Sequence, residues 1–432
     1  MQSFHHGHHH ADMISVDEAF KRIIAAFQPL EAEEKPILEV LGQVLAHDVY
    51  SPYNIPPTAN SAMDGYAVRH ADVLGADPDN HVFLRVIDLV AAGKMPSREV
   101  EPGTAIRIMT GATLPEGCDT IVPFEETDEL DRKVKGLGLD EIGIGVAQLK
   151  GRHIRPAGED VEKGELVLKK GAVLRPSELG VMASLGLDTA RVIRRPTVAI
   201  LATGDELTMP GEKLKPGKIF DSNSYSLAAS VLRYGGIPRL LGIAKDNEAD
   251  MHSKLEEGLT ADLLLTSAGV SKGDYDIVKS VVAERGEISF WSVRMRPAKP
   301  LAWGMLRGAS GKLVPHLGLP GNPVSSMVAF EEFARPAILK MLGKTKLSKP
   351  TVEAKLQGPI HNYDGRRVFA RVHLTKVKGA YYANPTGPQG SNILTSMARA
   401  NGLAICPEDQ SRIDPGQTVL VKALDWNEEV EL

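Results

Sequence analysis

The sequence is poor in cysteine, with only Cys118 and Cys406 among its 432 residues. Two thiols far apart in the chain exclude a disulfide framework and a Cys-rich zinc site, and they fit a reducing compartment. The chain also lacks any apolar run near the roughly 18 residues that a transmembrane helix requires. We therefore expect a cytoplasmic protein that does not contact a membrane.

Charge of one sign and aromatic side chains are also scarce. The net charge is −5, the pI is about 6.3 and aromatic residues make up 5% of the chain. The chain therefore has no global basic field and few stacking side chains, which argues against nucleic-acid binding. It also contains no GxGxxG, P-loop, HExxH or GxSxG motif. A nicotinamide dehydrogenase, a Walker ATPase, a zincin and a serine hydrolase all lose support.

What is present indicates a globular chain of several domains, with 43% apolar and 24% charged residues. Residues 1–12 hold five histidines, and we expect a tag or disordered leader there, with a metal-binding tract as the alternative. Changes in pattern predict four further domains. They are a discontinuous N-terminal linker domain at 13–50 and 151–193, an inserted β domain at 51–150, an α/β domain at 194–345 and a C-terminal β-barrel domain at 346–432.

The stretch 194–345 alternates short apolar runs with amphipathic segments. Runs at 197–202, 237–244 and 262–266 predict strands, and each is followed by a segment with helical spacing. Near-continuous apolar strands separated by helices predict a mostly parallel sheet covered on both faces. By contrast, residues 13–49 have mainly helical spacing, and we predict helix there.

Small and acidic residues follow the predicted strands. The loops are TGDE at 203–206, KD at 245–246, SAGVSKGD at 267–274 and GLPGNP at 318–323. Glycine and serine at helix N-termini favour phosphate, whereas the acids would repel it unless Mg²⁺ lies between them. Each loop alone is also typical of an ordinary turn. Together they predict a phosphorylated or nucleotide-like ligand with a divalent metal at one sheet edge.

Other segments carry further candidates. Arg294, Arg296 and Lys299 lie close together, and a strand would turn Arg294 and Arg296 to one side, where they could bind an oxyanion. A charged edge strand is the alternative. The irregular stretches PPTANSAMDGYAV, MTGATLP and RPAGED are each typical of turns, although a long irregular stretch in a compact domain is usually functional or mobile.

In this order along the chain, the motifs PTANSAMDGYAV, IMTGATLPEG, AGED, ATGDEL, SAGVSKGDYD, RPAKP, LPGNPVSS and PTGPQGSN resemble those of the MoeA family. The C-terminal part of gephyrin belongs to the same family. The resemblance implies an α/β domain of molybdopterin-binding type and a homodimer whose cleft is shared between subunits. It also implies the last step of molybdenum cofactor synthesis, in which adenylylated molybdopterin and molybdate give molybdenum cofactor and AMP with Mg²⁺. The enzyme that adenylylates molybdopterin and proteins that target molybdoenzymes are the implied partners.

The resemblance also implies site residues, which carry over motif by motif. The implied catalytic residues are Asp64, Thr110, Asp160, Glu206, Asp246 and Asp276. The implied metal ligands are Asp205, Glu206, Asp246 and Asp276. The implied substrate-binding residues are Ser267, Gly269, Ser271, Asp274, Arg294, Arg296, Lys299, Pro320, Asn322, Pro323, Arg371 and Ser391.

The chain departs from the family pattern at three positions, and two other functions stay open. Ser292 stands where some members have lysine, and Ala268 and Lys272 stand where glycine and an apolar residue are common. A molybdopterin adenylyltransferase is one alternative, because the stretch 194–342 resembles the domain that performs that step. A non-catalytic, gephyrin-like scaffold is the other.

Overall fold

The computed structural model describes residues 13–245, 248–267 and 285–424. The predicted leader therefore lies outside the described residues, as do five predicted site residues: Asp246, Gly269, Ser271, Asp274 and Asp276.

The chain divides into two compact units. The first unit comprises the described residues up to Ala46, Val173–Arg175 and the described residues from Thr189 onward. The second comprises His47–Ala172 and Pro176–Asp188. The second unit is thus inserted into the sequence of the first, which makes the first unit discontinuous.

The described helices are short. The α-helices span Val16–Ala25, His70–Val73, Glu129–Val134, Pro176–Ser184, Asn223–Arg233, Glu248–Gly258, Pro323–Ala329, Arg335–Met341 and Leu394–Ala398. Turns of 3₁₀ helix occur at Ile37–Glu39 and Phe124–Glu126, and a π-helical turn at Phe330–Ala334. None of the described helices is long and apolar enough to cross a membrane.

The strands are numbered in chain order: β1 Ala32–Pro36, β2 Val49–Tyr50, β3 Asn60–Ser61, β4 Gly65–Val68, β5 Val82–Val90, β6 Thr104–Ile108, β7 Thr120–Pro123, β8 Glu141–Ile144, β9 Ile154–Arg155, β10 Leu166–Leu168, β11 Thr189–Ile193, β12 Thr197–Thr203, β13 Leu207–Thr208, β14 Ile219–Phe220, β15 Ile237–Ala244, β16 Leu263–Ser267, β17 Gly286–Ser292, β18 Met295–Arg296, β19 Pro300–Arg307, β20 Leu313–Leu319, β21 Thr351–Leu356, β22 Ile360–His361, β23 Arg367–Val377, β24 Ala380–Pro385, β25 Gly402–Cys406, β26 Arg412–Ile413 and β27 Thr418–Ala423.

A six-stranded sheet forms the centre of the first unit, in the order β15-β12-β16-β20-β19-β17. The strands β15, β12, β16 and β20 are parallel, β19 runs antiparallel to β20, and the edge strand β17 runs antiparallel to β19. Apolar side chains of β12 and β16 enter two separate core clusters. The predicted mostly parallel sheet is confirmed, and its strands β12 and β16 are almost entirely apolar and buried because both faces are covered.

The C-terminal part of the first unit is a closed barrel. Its strands follow one another in the order β23-β24-β21-β27-β25, and β25 pairs back with β23. Closure leaves these five strands without a free edge. The predicted β barrel is therefore confirmed, and its interior is a separate apolar cluster.

The prediction of helix over 13–49 is wrong beyond Ala25. The helix begins after Ser15, whose hydroxyl accepts from the Glu18 amide at 3.1 Å, and it ends at Ala25. The chain then forms β1, which pairs antiparallel with β11. Pro29 and Pro36 lack the amide hydrogens that a continuous helix would need.

Residues 323–341 form one helical stretch, which contains the π-helical turn Phe330–Ala334. Pro336 follows this turn and lies in the helix Arg335–Met341. A proline inside a helix has no amide hydrogen and its ring clashes with the carbonyl four residues earlier, so a local change of hydrogen-bond register accommodates it.

The second unit contains a five-stranded sheet in the order β7-β4-β6-β5-β8. At Gly65, at the start of β4, a Cβ would lie 2.1 Å from the Val122 carbonyl oxygen, so only glycine fits there. On the same sheet, the buried Tyr66 donates to the Glu129 carboxylate at 2.5 Å, and Arg107 donates to it at 2.8 and 3.1 Å.

Candidate functional site

Three parallel strands of the six-stranded sheet end side by side. Ala202 of β12 lies opposite Ser267 of β16, and Ser267 lies opposite Leu319 of β20. The Thr203 hydroxyl donates to the Ser267 carbonyl at 3.4 Å. The loops that follow these strands therefore leave from one edge, which is where open parallel sheets bind their ligands.

The acids after β12 are exposed and follow a turn that requires glycine. Gly204 has φ +138°, and a Cβ there would come within 2.5 Å of a Glu206 carboxylate oxygen. The glycine thus lets the Glu206 carboxylate fold back over the turn. Asp205 and Glu206 are both exposed, and the Lys218 ammonium donates to the Asp205 backbone carbonyl.

Sequence reasoning missed Asn223, which links two of these strand ends. Its side-chain amide nitrogen lies 2.8 Å from the Ser267 hydroxyl and 2.8 Å from the Gly321 carbonyl. The only signal in the sequence was the triplet of residues 221–223, Asp-Ser-Asn, at the start of the helix Asn223–Arg233. Such a triplet predicts no more than a helix cap. Ser222 is the N-cap residue, but the carboxylate of Asp221 before it accepts from the Ser224 amide at 3.0 Å.

The turn after β20 brings Ser391 beside the predicted residues Pro320, Asn322 and Pro323. Asn322 is the N-cap of the helix Pro323–Ala329 and is exposed, whereas Pro320 is buried. The Val324 amide of this helix donates to the Ser391 carbonyl at 3.1 Å. These candidates therefore lie together, although the interaction runs through the Ser391 backbone.

The two arginines of the predicted basic patch donate to different backbone carbonyls. The Arg294 guanidinium donates to the Met13 carbonyl at 3.4 Å, while Arg296 donates to the His361 carbonyl. Lys299 is exposed. β18 is only two residues long and starts after Arg294, so strand alternation does not apply to this pair and their common face stays a prediction.

The C-terminal barrel carries a cavity of about 330 Å³. Arg296, Arg371 and Gln389 contribute polar groups to its lining, and most of the other lining residues are apolar. The Arg371 amide donates to the Gln389 side-chain oxygen at 2.8 Å, and the Gln389 amide nitrogen donates back to the Arg371 carbonyl at 3.1 Å. Gln389 is thereby fixed at the cavity wall.

Arg371 is the most deeply buried of the predicted cationic residues, with 1% of its surface exposed. Its guanidinium donates to the Ser396 hydroxyl at 3.0 Å and the Gly390 carbonyl at 2.9 Å. Within the described part of the chain no carboxylate pairs with it, and burial lowers its pKa to about 10. A buried cation with neutral partners favours an anion in the cavity that it lines.

In the second unit, three irregular stretches singled out in the sequence meet. The loop before β4 pairs with the MTGATLP segment, because the Gly111 amide donates to the Ser61 carbonyl at 2.8 Å. The same loop pairs with the RPAGED segment, because the Gly158 amide donates to the Pro56 carbonyl at 3.0 Å and the Asp160 amide to the Ile55 carbonyl at 2.9 Å. These loops carry Asp64, Thr110 and Asp160.

Asp64 and Thr110 form the best-defined pair of this group. One Asp64 carboxylate oxygen accepts from the Thr110 amide at 2.6 Å and from the Thr110 hydroxyl at 2.8 Å. These two hydrogen bonds, the amide first, hold the pKa of Asp64 below its usual value of 3.8. Asp64 is therefore an exposed, ionised carboxylate in a fixed orientation.

We expect Thr110→Val to raise the pKa of Asp64, because the substitution removes the hydroxyl bond and keeps the side-chain shape. Thr110→Ser, which retains the hydroxyl, should leave the pKa lowered. An NMR titration of the labelled carboxylate measures both variants. An Asp64 pKa that is equal in the two variants would mean that the amide alone lowers it.

The described residues offer part of a magnesium site. Asp205 and Glu206, which follow β12, supply carboxylate oxygens, the ligands that Mg²⁺ prefers. Across the described ranges, no three His, Cys, Asp or Glu residues come together as a complete metal site. The donor set fits a cation that is shared between one or two carboxylates and substrate phosphates.

Three family models match successive parts of the chain. The MoeA N-terminal region (domains I and II) matches residues 14–186, a probable molybdopterin binding domain matches 199–340, and the MoeA C-terminal region (domain IV) matches 353–424. Together they span most of the sequence in the order of the motifs.

Similar proteins agree with these matches. Molybdopterin molybdenumtransferase 2 of Mycobacterium tuberculosis is 37% identical over 416 residues, which are 95% of this chain and 99% of the relative. The molybdopterin molybdenumtransferase of Nostoc is 36% identical over 89% of this chain and 86% of its own length. A crystal structure of the molybdopterin biosynthesis MoeA protein from Pyrococcus horikoshii is 31% identical, covers 96% of this chain and 100% of its own and has a TM-score of 0.79. The chain belongs to the MoeA family of molybdopterin molybdenumtransferases.

Proposed function

We propose that the protein inserts molybdenum from molybdate into adenylylated molybdopterin, releasing AMP and forming molybdenum cofactor. The observation that carries the proposal is Arg371, a buried cation without a carboxylate partner among the described residues, in the wall of a barrel cavity. The names of the similar proteins support the same step. The barrel cavity would take the oxyanion, and the strand ends of the six-stranded sheet would take the phosphorylated ligand.

The chemistry would consist of positioning and charge neutralisation, as in phosphoryl transfer. Ser267 and the turn Pro320–Pro323 would orient the adenylylated substrate. Mg²⁺, where bound, would neutralise phosphate charge, and Asp205 and Glu206 would hold it together with Asp246 and Asp276. In the cavity, the guanidinium groups of Arg296 and Arg371 would bind the doubly charged oxyanion.

Asp64 suits a different role from proton transfer. A carboxylate whose pKa is lowered by two hydrogen bonds is a weak base at neutral pH. It is better suited to accept a hydrogen bond or to bind a cation, and Thr110 would keep it oriented. Asp160 would contribute a second carboxylate from the RPAGED segment, which pairs with the loop before β4.

The direct test mixes the protein with adenylylated molybdopterin and Mg²⁺, with and without molybdate, and follows AMP. We expect AMP release that depends on both molybdate and Mg²⁺. Release at the same rate without molybdate would contradict the proposal. Consumption of ATP with unmodified molybdopterin would instead identify the preceding adenylylation step.

The proposed function also includes an oligomeric state and a cellular location. We propose a cytoplasmic homodimer of four-domain subunits that share a cleft. We also propose that it receives its substrate from the enzyme that adenylylates molybdopterin and passes its product to proteins that target molybdoenzymes. Sedimentation of the purified chain tests the dimer. A monomer at all concentrations that are active in AMP release would exclude a shared cleft.

A further inference from the structure

We infer that Asn223 is a positioning residue, which holds the C-terminal end of β16 and the turn after β20 at a set spacing. The inference rests on the proposed function in one respect, namely that the end of β16 and this turn bind the adenylylated substrate. Asn223 starts the helix that follows Ser222 and has 8% of its surface exposed. It precedes Ser267 by 44 residues and Gly321 by 98 residues in the sequence.

The two contacts fix the orientation of the Asn223 amide. A backbone carbonyl can only accept a hydrogen bond, so the atom 2.8 Å from the Gly321 oxygen must be the amide nitrogen. The second hydrogen of the same nitrogen points to the Ser267 hydroxyl oxygen, also at 2.8 Å. Both donors of one NH₂ group are therefore used to join two strand ends.

Hydrogen bonds of Asp221 fix the backbone on which Asn223 lies. Asp221, with 1% of its surface exposed, accepts from the Ser224 amide at 3.0 Å, and its own amide donates to the Thr208 carbonyl at 2.9 Å. These bonds anchor the first turn of the helix Asn223–Arg233. The amide of Asn223 thus projects from a fixed backbone, which is what precise positioning requires.

The contact also directs the Ser267 hydroxyl. Because the Ser267 oxygen accepts from Asn223, its own proton is turned elsewhere and is free for another acceptor. A phosphate oxygen at the strand edge is such an acceptor, and a hydrogen bond to it would be charge-assisted. Asn223 therefore acts on the ligand through Ser267 and through the turn at Gly321.

The first test measures the affinity for AMP, the proposed product, by calorimetry. We expect Asn223→Ala to weaken AMP binding at least about tenfold, as the loss of two hydrogen bonds would allow. Asn401→Ala is the matched control, because Asn401 is also buried and also makes two hydrogen bonds, to Leu374 in the barrel. Equal AMP affinity in wild type and Asn223→Ala, or equal losses in both variants, would overturn the inference.

A second variant separates positioning from mere packing. Asn223→Asp keeps the shape of the side chain but, when ionised, has no hydrogen to donate to Gly321. We expect it to raise KM for adenylylated molybdopterin as strongly as Asn223→Ala, with a smaller change in kcat. A KM at the wild-type value in Asn223→Asp would show that shape alone matters, and would contradict the proposed role.

Amide hydrogen exchange tests the link without any ligand. In Asn223→Ala, a peptide covering residues 317–326 should exchange at least about threefold faster, while barrel peptides stay unchanged. Unchanged exchange would refute the link whether or not AMP binds. If exchange is faster in Asn223→Ala but the wild-type protein binds no AMP, the contact between Asn223 and the turn after β20 stands. That result would count against the proposed substrate instead.

Discussion

We expect Arg371→Met to lower the molybdate-dependent rate of AMP release by at least about 100-fold, while the protein stays folded. Hydrogen bonds to charged groups are worth about 1.5–3 kcal/mol each, so the loss of two to the oxyanion gives an effect of this size. The cavity that Arg371 lines would keep its shape but would lose its most deeply buried cation. The measurement is kcat/KM for molybdate at saturating adenylylated molybdopterin.

The free energy of unfolding of Arg371→Met distinguishes a loss of activity at the cavity from a loss of the fold. Arg371 has no carboxylate partner among the described residues, and burial already disfavours its charge, as its lowered pKa of about 10 indicates. Removing a buried cation of this kind should change the free energy of unfolding by no more than about 2 kcal/mol. Lys355→Met, at an exposed barrel position, is the control for both readouts. A parallel fall of activity and stability in Arg371→Met would assign the arginine to the fold alone.

The second large effect concerns the fold of the second unit. We expect Glu129→Ala to lower its free energy of unfolding by about 3–5 kcal/mol, the usual result of breaking a buried ion pair. The side chain of Glu129 is 3% exposed and accepts hydrogen bonds from Tyr66, Arg107 and Lys133. Its removal leaves the fully buried Tyr66 hydroxyl without this acceptor.

Hydrogen exchange in β4 and β6 would report this loss, because both strands belong to the second unit. Trp291 and Trp303 belong to the first unit, so their fluorescence follows that unit separately. Asp131→Ala is the matched control on the same helix, where the side chain is exposed, and it should change stability by no more than about 0.5 kcal/mol. Similar exchange rates in the two variants would contradict the assigned role of Glu129.

The same carboxylate should make the second unit sensitive to acid. Burial alone would raise the pKa of Glu129, but the hydrogen bonds from Arg107, Lys133 and Tyr66 outweigh it and lower the pKa from 4.5 to about 2. A carboxyl whose pKa is lower in the folded state stabilises the fold at higher pH. Its contribution is complete above about pH 4.5 and is lost as the pH falls towards 2. This pH dependence should be weaker in Glu129→Ala.

Much of the architecture could be predicted because local patterns report burial. The apolar runs at β12, β15 and β16 predicted a parallel sheet, and their ends predicted one ligand-binding edge. The helix predicted over 13–49 failed where prolines interrupt it and where β1 finds a partner far away in β11. Spacing within a segment cannot indicate such a partner, because pairing with a distant strand is decided by the whole fold.

For the candidate site, the sequence by itself determined which residue types follow each strand and, through the ordered motifs, the family. Only the tertiary structure decided which of them meet. It joined Asn223 to Ser267 and Gly321, oriented Asp64 on Thr110 and gave Arg294 and Arg296 different carbonyl partners. It also buried Arg371 beside a cavity. The physical reason is that burial and hydrogen-bond partners of polar side chains depend on packing between distant segments, whereas the same residues read along the chain are typical of ordinary turns and charged surfaces.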